Sequence, residues 1–203
     1  MNTKNKFLTI DFVSACSEKK LYPEDIGFEV AICGRSNSGK SSIINALANS
    51  KKLAKTSNTP GRTQSINFFR IDNNDAYKLI DLPGYGFAKA SKSMKRDWGK
   101  KITDYMNSRD ALKGVILIMD IRHPFQEADY NFLEWCQSYN LPIQLLLNKA
   151  DKLSRNKSLN ILNECIKDLD EYPLLDEPQI FSAKNFDGVD VLVKKIRSWV
   201  GES

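Results

Sequence analysis

Glu29-Val30-Ala31-Ile32-Cys33-Gly34-Arg35-Ser36-Asn37-Ser38-Gly39-Lys40-Ser41 joins an apolar run of strand type to a glycine-bounded loop, and Lys40–Asn49 continues with helical spacing. Gly34 to Ser41 fits the pattern G-x-x-x-x-G-K-[ST] in the strand–loop–helix context that gives the pattern meaning. Its glycines let the backbone curl so that successive N–H groups face an anion, and the helix N-terminus adds a favourable field. Lys40 can reach the β- and γ-phosphates of a nucleotide, and the Ser41 hydroxyl can ligate Mg²⁺. A plain Gly/Ser-rich helix cap is the bland alternative, and the strand–loop–helix context disfavours it.

Outward from this loop, strand-type runs alternate with helical patterns. Strands are expected at Glu29–Cys33, Ser65–Ile71, Tyr77–Leu82, Gly114–Asp120, Ile143–Asn148 and Gln179–Ser182. Helices are expected at Lys40–Asn49, Lys92–Ser108, Ala128–Tyr139, Arg155–Glu171 and Val189–Val200. Such alternation specifies an α/β fold whose mostly parallel sheet is covered on both faces. Ser65–Leu82 reads as two strands joined by a turn at Asp72-Asn73-Asn74-Asp75, so a mostly parallel six-stranded sheet with one antiparallel strand is expected. Residues 27–203 are expected to form one domain, with residues 1–26 an N-terminal extension packed on it that can add an edge element.

The 203 residues and 41% hydrophobic content suit one domain with a sizeable core. No apolar run approaches the ~20 residues of a membrane span, and Asp11 interrupts the apolar residues after Lys4 and Lys6, so no signal peptide is expected. Cys16, Cys33, Cys136 and Cys165 lack metal-ligand spacing and read as free thiols in a reducing cytoplasm. The net charge of +5 permits a nucleic-acid partner without requiring one.

Three further signals follow at strand ends, where ligands of such folds sit. Asn148-Lys149-Ala150-Asp151 fits N-K-x-D. The Asp151 carboxylate can accept from guanine N1–H and the 2-amino group, both absent from adenine, so the wrong base would leave it unpaired. Lys149 can lay its stem over the base, Asn148 can tie loops together, and the Phe181-Ser182-Ala183 loop can offer a backbone N–H to guanine O6. Alone, the tetrad could be a turn and a helix cap; beside the phosphate loop it reads as a guanine site. In Asp81-Leu82-Pro83-Gly84, Asp81 can hold Mg²⁺ through water and the Gly84 N–H can bond the γ-phosphate. Between the phosphate loop and Asp81 lies Thr56 to Gln64, where Thr59 or Thr63 should close on Mg²⁺ and γ-phosphate in the GTP state. The motifs together specify a three-layer P-loop GTPase fold, a G domain, that binds and hydrolyses GTP to GDP.

The position after Gly84 often carries a water-orienting Gln, but here it is Tyr85. Intrinsic hydrolysis should therefore be slow or assisted. The Asn37 side-chain carbonyl is the candidate helper, coordinating K⁺ beside the phosphates.

Gly34-Arg35-Ser36-Asn37-Ser38-Gly39-Lys40-Ser41-Ser42, Thr59-Pro60-Gly61-Arg62-Thr63-Gln64, Asp81-Leu82-Pro83-Gly84-Tyr85-Gly86 and Asp120-Ile121-Arg122-His123-Pro124 resemble bacterial EngB/YsxC-type GTPases of the TrmE–Era–EngA-like group. The resemblance spans nearly the whole chain. It implies a Mg²⁺-dependent cytoplasmic GTPase acting in large ribosomal subunit assembly and needed for normal cell division and septation. It places the switch threonine on Thr63, with backbone contacts from Gly61, Arg62, Gln64 and Ser65, and it accounts for Tyr85, because the wider group lacks the catalytic Gln. Lys40, Thr63 and Asn37 are then the residues expected to carry catalysis, and Ser41, Thr63 and Asp81 those expected at the metal.

Lys89, Lys92, Lys95, Arg96, Lys100 and Lys101 follow the second switch with only Asp97 opposing, while Met94, Trp98, Ile102 and Tyr105 fall at helical spacing and should face the core. With Lys51, Lys52, Lys55 and Arg62 they could form a positive face for ribosomal RNA phosphates; an ordinary solvated helix face is the alternative. His123 reads as structural. The expected partners are GTP or GDP and the RNA and proteins of the large subunit, with the chain a monomer and not inserted in a membrane. A GTP-regulated division-site scaffold and a P-loop kinase are the competing functions; no amphipathic basic membrane helix supports the first, and the guanine motif opposes the second.

Overall fold

The computed structural model describes residues 6–54, 65–86, 92–169 and 171–201, and for Lys92 and Lys95 the backbone alone. In chain order the elements are β1 (Ile10–Cys16), β2 (Phe28–Gly34), α1 (Lys40–Leu47), β3 (Ile66–Ile71), β4 (Asn74–Asp81), α2 (Lys92–Met106), β5 (Leu112–Asp120), α3 (Glu127–Ser138), β6 (Ile143–Asn148), α4 (Arg155–Asp168), β7 (Gln179–Ile180) and α5 (Val189–Trp199). The strands form one sheet in the order β1-β3-β4-β2-β5-β6-β7. β3 runs antiparallel to both its neighbours, and the remaining pairings are parallel.

The sheet therefore has seven strands, against six expected. The added strand, β1, comes from the N-terminal segment. Its burial does not alternate, because the register slips between Phe12 and Ser14 and leaves Phe12 and Val13 exposed. A bulged edge strand lacks the period-two pattern that makes a strand readable. At the other edge β7 is short: Ser182 leaves the sheet and exchanges backbone hydrogen bonds with Asp187 at 3.1 and 3.2 Å. The β3–β4 hairpin turns on Asp72 and Asn73, both left-handed (φ 50° and 57°), a conformation that Asn and Asp tolerate in tight hairpins.

Alternation along the central strands divides the core into two layers. Val115, Leu117 and Met119 of β5 pack with Ile102 and Tyr105 of α2 and Phe132 and Leu133 of α3. Ile116 and Ile118 point to the other face, with Ile43, Ile44 and Leu47 of α1 and Leu192 and Ile196 of α5. Truncating one such side chain to alanine costs about 2–5 kcal/mol. On α2, Ile102 and Tyr105 are fully buried and Trp98 half-buried, but Met94 is 38% exposed, contrary to the expected core position. It lines a groove of about 460 Å³ between α2 and α3 instead of the sheet.

At the end of the sheet away from the motifs, fully buried Glu29 accepts from Tyr105 Oη (2.8 Å) and Arg109 Nε (3.1 Å). Arg109 also donates to the carbonyls of Pro23 (2.8 Å) and Glu24 (3.2 Å), fastening the N-terminal segment to the sheet. The carboxylate is paired and hydrogen-bonded, as a buried charge requires. Burial and the neighbouring Glu29 push the Tyr105 phenol well up, so it stays a neutral donor.

Candidate nucleotide site

Gly34, Asp81, Asp120 and Asn148 end β2, β4, β5 and β6, and β7 leads into the Ser182 loop; these five strands are mutually parallel, so the segments that follow them open at one edge of the sheet, where their carboxyl ends lie. The phosphate loop crosses from β2 to α1, with Gly39 as the helix N-cap at φ 103°. A side chain there would be strained, and its Cβ would lie 2.3 Å from Asn148 Nδ2. The bare glycine lets Asn148 Nδ2 reach the Ser38 carbonyl at 2.9 Å. Asn148 Oδ1 faces the Ala183 N–H at 3.4 Å, so one buried amide links the phosphate loop, the N-K-x-D segment and the Ser182 loop. Ala150 N–H donates to the Phe181 carbonyl at 3.1 Å, closing the same cluster.

Lys149 is left-handed (φ 69°) and its Nζ donates to the Asn37 carbonyl at 2.6 Å. It also pairs with Asp120 Oδ2 at 3.0 Å. Arg122 grips the same carboxylate through Nε (2.9 Å), Nη2 (2.6 Å) and its backbone N–H (3.1 Å). Burial alone would raise the Asp120 pKa, but the hydrogen bonds from Arg122 and Lys149 outweigh it and hold the carboxyl well below the usual carboxylate range. Asp120 is thus an anion that orients Lys149. The sequence displayed the Asp120–Pro124 stretch without a role for it.

Asp151 is nearly buried. Its Oδ1 accepts from Ser182 Oγ at 2.9 Å, while its buried Oδ2 has no hydrogen-bond donor. Lys152 Nζ lies 3.6 Å from Oδ2. A carboxylate oriented by a hydroxyl and retaining a spare buried acceptor suits a ligand with adjacent N–H donors. Ser38 Oγ is a second buried polar atom without a partner, on the phosphate loop itself.

Lys40 Nζ pairs with Asp81 Oδ1, and Asn67 Nδ2 donates to Asp81 Oδ2 at 3.0 Å. Asn67 enters because β3 is antiparallel to β4 and places it beside Asp81. Ser65 Oγ in turn donates to Asn67 Oδ1 at 3.2 Å. No motif pointed to Asn67. Gly84 packs on the loop so closely that a Cβ would lie 3.2 Å from the Gly34 carbonyl and 3.5 Å from Ser36 N. Trp98 Nε1 donates to the Pro83 carbonyl at 2.8 Å, and Leu82 is buried in the core.

Tyr85 does not face the phosphate loop's mouth. Its ring is buried, stacked on Phe132 at 5.4 Å, and its hydroxyl donates to Asp129 at 2.7 Å. Desolvation, with Cys33 and Asp129 nearby, pushes the phenol well up and keeps it protonated. Arg35 is drawn to the same Asp129, whereas Ser36, Asn37, Ser41 and Ser42 stay at least partly accessible. His123 is exposed and offers its carbonyl to Arg35 Nη2.

Thr59, Gly61, Arg62, Thr63, Gln64, Lys55 and Lys89 lie outside the described residues. Of the basic face, Lys51, Lys52, Arg96 and Lys100 are exposed and Lys101 is half-buried. Among the described residues no helix is long and apolar enough to cross a membrane.

Residues 29–149 match the family model described as 50S ribosome-binding GTPase. A probable GTP-binding protein EngB of Haemophilus influenzae (strain PittEE) is 46% identical over 193 residues, covering 93% of this chain and 91% of the relative. That of Haemophilus ducreyi is 47% identical over 193 residues, covering 93% and 89%. Among solved structures, a probable GTP-binding protein EngB superposes with TM-score 0.68 at 23% identity, covering 85% of this chain and 98% of that one. Era in complex with MgGDPNP and nucleotides 1506–1542 of 16S ribosomal RNA superposes with TM-score 0.64 at 24% identity, covering 89% and 59%. The structural likenesses establish the α/β P-loop GTPase fold.

Proposed function

The chain belongs to the EngB family of GTP-binding proteins and is a GTP-hydrolysing enzyme, and from that premise we propose that it is a molecular switch acting in assembly of the large ribosomal subunit. The observation that carries the proposal is the match of residues 29–149 to a 50S ribosome-binding GTPase model, in a chain that exposes Arg96 and Lys100 on the helix following the second switch. Exposed cations beside a nucleotide site suit RNA phosphates, and the nucleotide state can alter how they are presented. The protein would work in the cytoplasm as a monomer, one G domain over residues 27–203 with the N-terminal segment as its edge. A requirement for cell division and septation would follow from ribosome supply.

In this reading Gly34 to Ser42 cradle the phosphates, and Asn148, Lys149, Asp151 and the Phe181–Ala183 loop hold guanine. The spare Asp151 acceptor supports the base assignment. The Ala183 N–H would leave its long contact with Asn148 to bond guanine O6. Mg²⁺ would be held by Ser41, Thr63 and Asp81 and would neutralise charge on the β- and γ-phosphates. The fit rests on Asp81: a 5%-exposed carboxylate, fixed by Asn67 on one oxygen and paired on the other with a cation that a phosphate can attract away. Binding of the metal-nucleotide would exchange the Lys40–Asp81 pair for two new ones, Lys40 with phosphate and Asp81 with the metal side. Tyr85, held by Asp129, is not placed to orient water, so assistance falls to Asn37 with K⁺ and to Thr63.

The test is co-sedimentation with purified large ribosomal subunits at graded salt, with GDP or a non-hydrolysable GTP analogue. Binding favoured by the analogue and weakened steeply by salt is expected. No binding in either state would refute the ribosomal role and move a GTP-regulated division-site scaffold to first place.

A further inference from the structure

Asp129 belongs to none of the nucleotide motifs, yet two of its partners, Arg35 and Tyr85, belong to or adjoin them. It is fully buried at the third position of α3. Its Oδ1 accepts from Tyr85 Oη at 2.7 Å and from Arg35 Nε at 3.1 Å. Its Oδ2 accepts from the Gln126 N–H at 2.9 Å and lies 3.0 Å from Arg35 Nε. One carboxylate thus holds a phosphate-loop side chain and a second-switch side chain against the start of α3.

The backbone repeats the connection. Ser36 N–H donates to the Tyr85 carbonyl at 2.9 Å, and Tyr85 N–H to the Gly34 carbonyl at 3.3 Å. Arg35 lies so close over Gly86 that a Cβ there would meet Arg35 Cγ at 3.1 Å. A helix cap alone would require one acceptor for the Gln126 N–H, and could face solvent. Here the carboxylate is withdrawn from water and needs its guanidinium, because an unpaired buried charge is strongly unfavourable. The pair cannot separate cheaply, so the loop and the residue after Gly84 move together or not at all.

We propose that Asp129 is a positioning residue for GTP hydrolysis, setting through Arg35 and Tyr85 the spacing between the phosphate loop and the Gly84 amide. The inference rests on reading Gly84 as the γ-phosphate donor. It assigns Tyr85 the job of anchoring the second switch, where other switch proteins use the same position to orient the attacking water. Loss of the anchor should weaken the GTP state selectively, since GDP has no γ-phosphate for Gly84 to contact.

The experiment compares wild type, Asp129→Asn, Tyr85→Phe and Lys40→Ala by hydrolysis rate at saturating GTP and by affinity for GDP and a non-hydrolysable GTP analogue. Asp129→Asn retains an acceptor for the Gln126 N–H, so the cap survives while the charge is lost. Tyr85→Phe keeps the ring on Phe132 and the Arg35–Asp129 pair, so it remains folded even if Asp129→Asn does not. A misplaced reacting group can cost roughly 100-fold in rate. Asp129→Asn should slow hydrolysis by roughly 10- to 100-fold and Tyr85→Phe by several-fold, with affinity for the analogue falling more than for GDP. Rates within about twofold of wild type for Tyr85→Phe, with the ratio of the two affinities unchanged, overturn the anchor. In that event, lost nucleotide binding in Lys40→Ala shows that the phosphate site itself stands; unimpaired binding in Lys40→Ala overturns the site reading and the anchor with it.

Discussion

Replacing Asp151 by Asn should change which purine the protein prefers. Asp151 Oδ1 is fixed by Ser182 Oγ at 2.9 Å, and Oδ2 is buried with no hydrogen-bond donor. Guanine would supply two N–H donors to this carboxylate. Asparagine keeps one acceptor and turns an amide donor toward the guanine 2-amino group. Hydrogen bonds to a charged group contribute about 1.5–3 kcal/mol each, and a mispaired buried donor costs about as much again as a neutral bond. Losing the bond to the 2-amino group and facing it with a second donor should therefore cost about 2–4 kcal/mol, or roughly 30- to 1,000-fold in affinity. Xanthine carries a carbonyl where guanine has the 2-amino group, so the amide can donate to it. The assay is competition of GDP and XDP against a fluorescent nucleotide, for wild type and Asp151→Asn. The expected result is a crossing of preferences. Unchanged GDP affinity, or equal weakening of GDP and XDP, would refute the base-reading role.

Three further outcomes are expected. K⁺ should raise the GTPase rate over Na⁺, and Asn37→Ala should abolish the difference; equal wild-type rates in both salts would remove the cation role. Asp120 is held as an anion by Arg122 and Lys149, so its folded pKa lies below the unfolded value of about 3.9. Its stabilisation is complete above that value and is lost as pH falls toward the folded one. The urea-unfolding gap between wild type and Asp120→Asn should thus be constant near neutrality and narrow below about pH 4; a gap that widens in acid would contradict the pairing. Burial pushes the Cys33 and Cys165 thiols up to about 12 and raises Cys136 too, and only the thiolate reacts. Near pH 7.5 a maleimide should label none of these three until the chain is denatured, and rapid native labelling traced to any of them would show that its packing opens.

Some of this was local and therefore legible. The Gly34–Ser41 loop announces a strand-to-helix turn because its glycines and the Lys-Ser pair belong to one short stretch, with Gly39 taking the left-handed N-cap. The apolar periods of β5, α3 and α5 placed those elements to within a residue or two at their ends. The order of the motifs along an alternating α/β chain put them at one edge of the sheet, because parallel strands share their carboxyl ends. The residues that tie that edge together belong to another class. Asn67 reaches Asp81 because β3 is reversed beside β4, and Asp129 reaches Arg35 across 94 positions of chain. Neither has a neighbour in sequence that hints at its partner. An edge element from the N-terminal segment was open to the sequence, but the bulge of β1 and the exposure of Met94 escaped for the same reason: their surroundings are set by which element packs beside them. The sequence by itself determined which residues are expected to face a ligand, since their chemistry must be present whatever surrounds it; only the tertiary structure decided the supports, since a buried charge or amide is defined by the partner that packing brings to it.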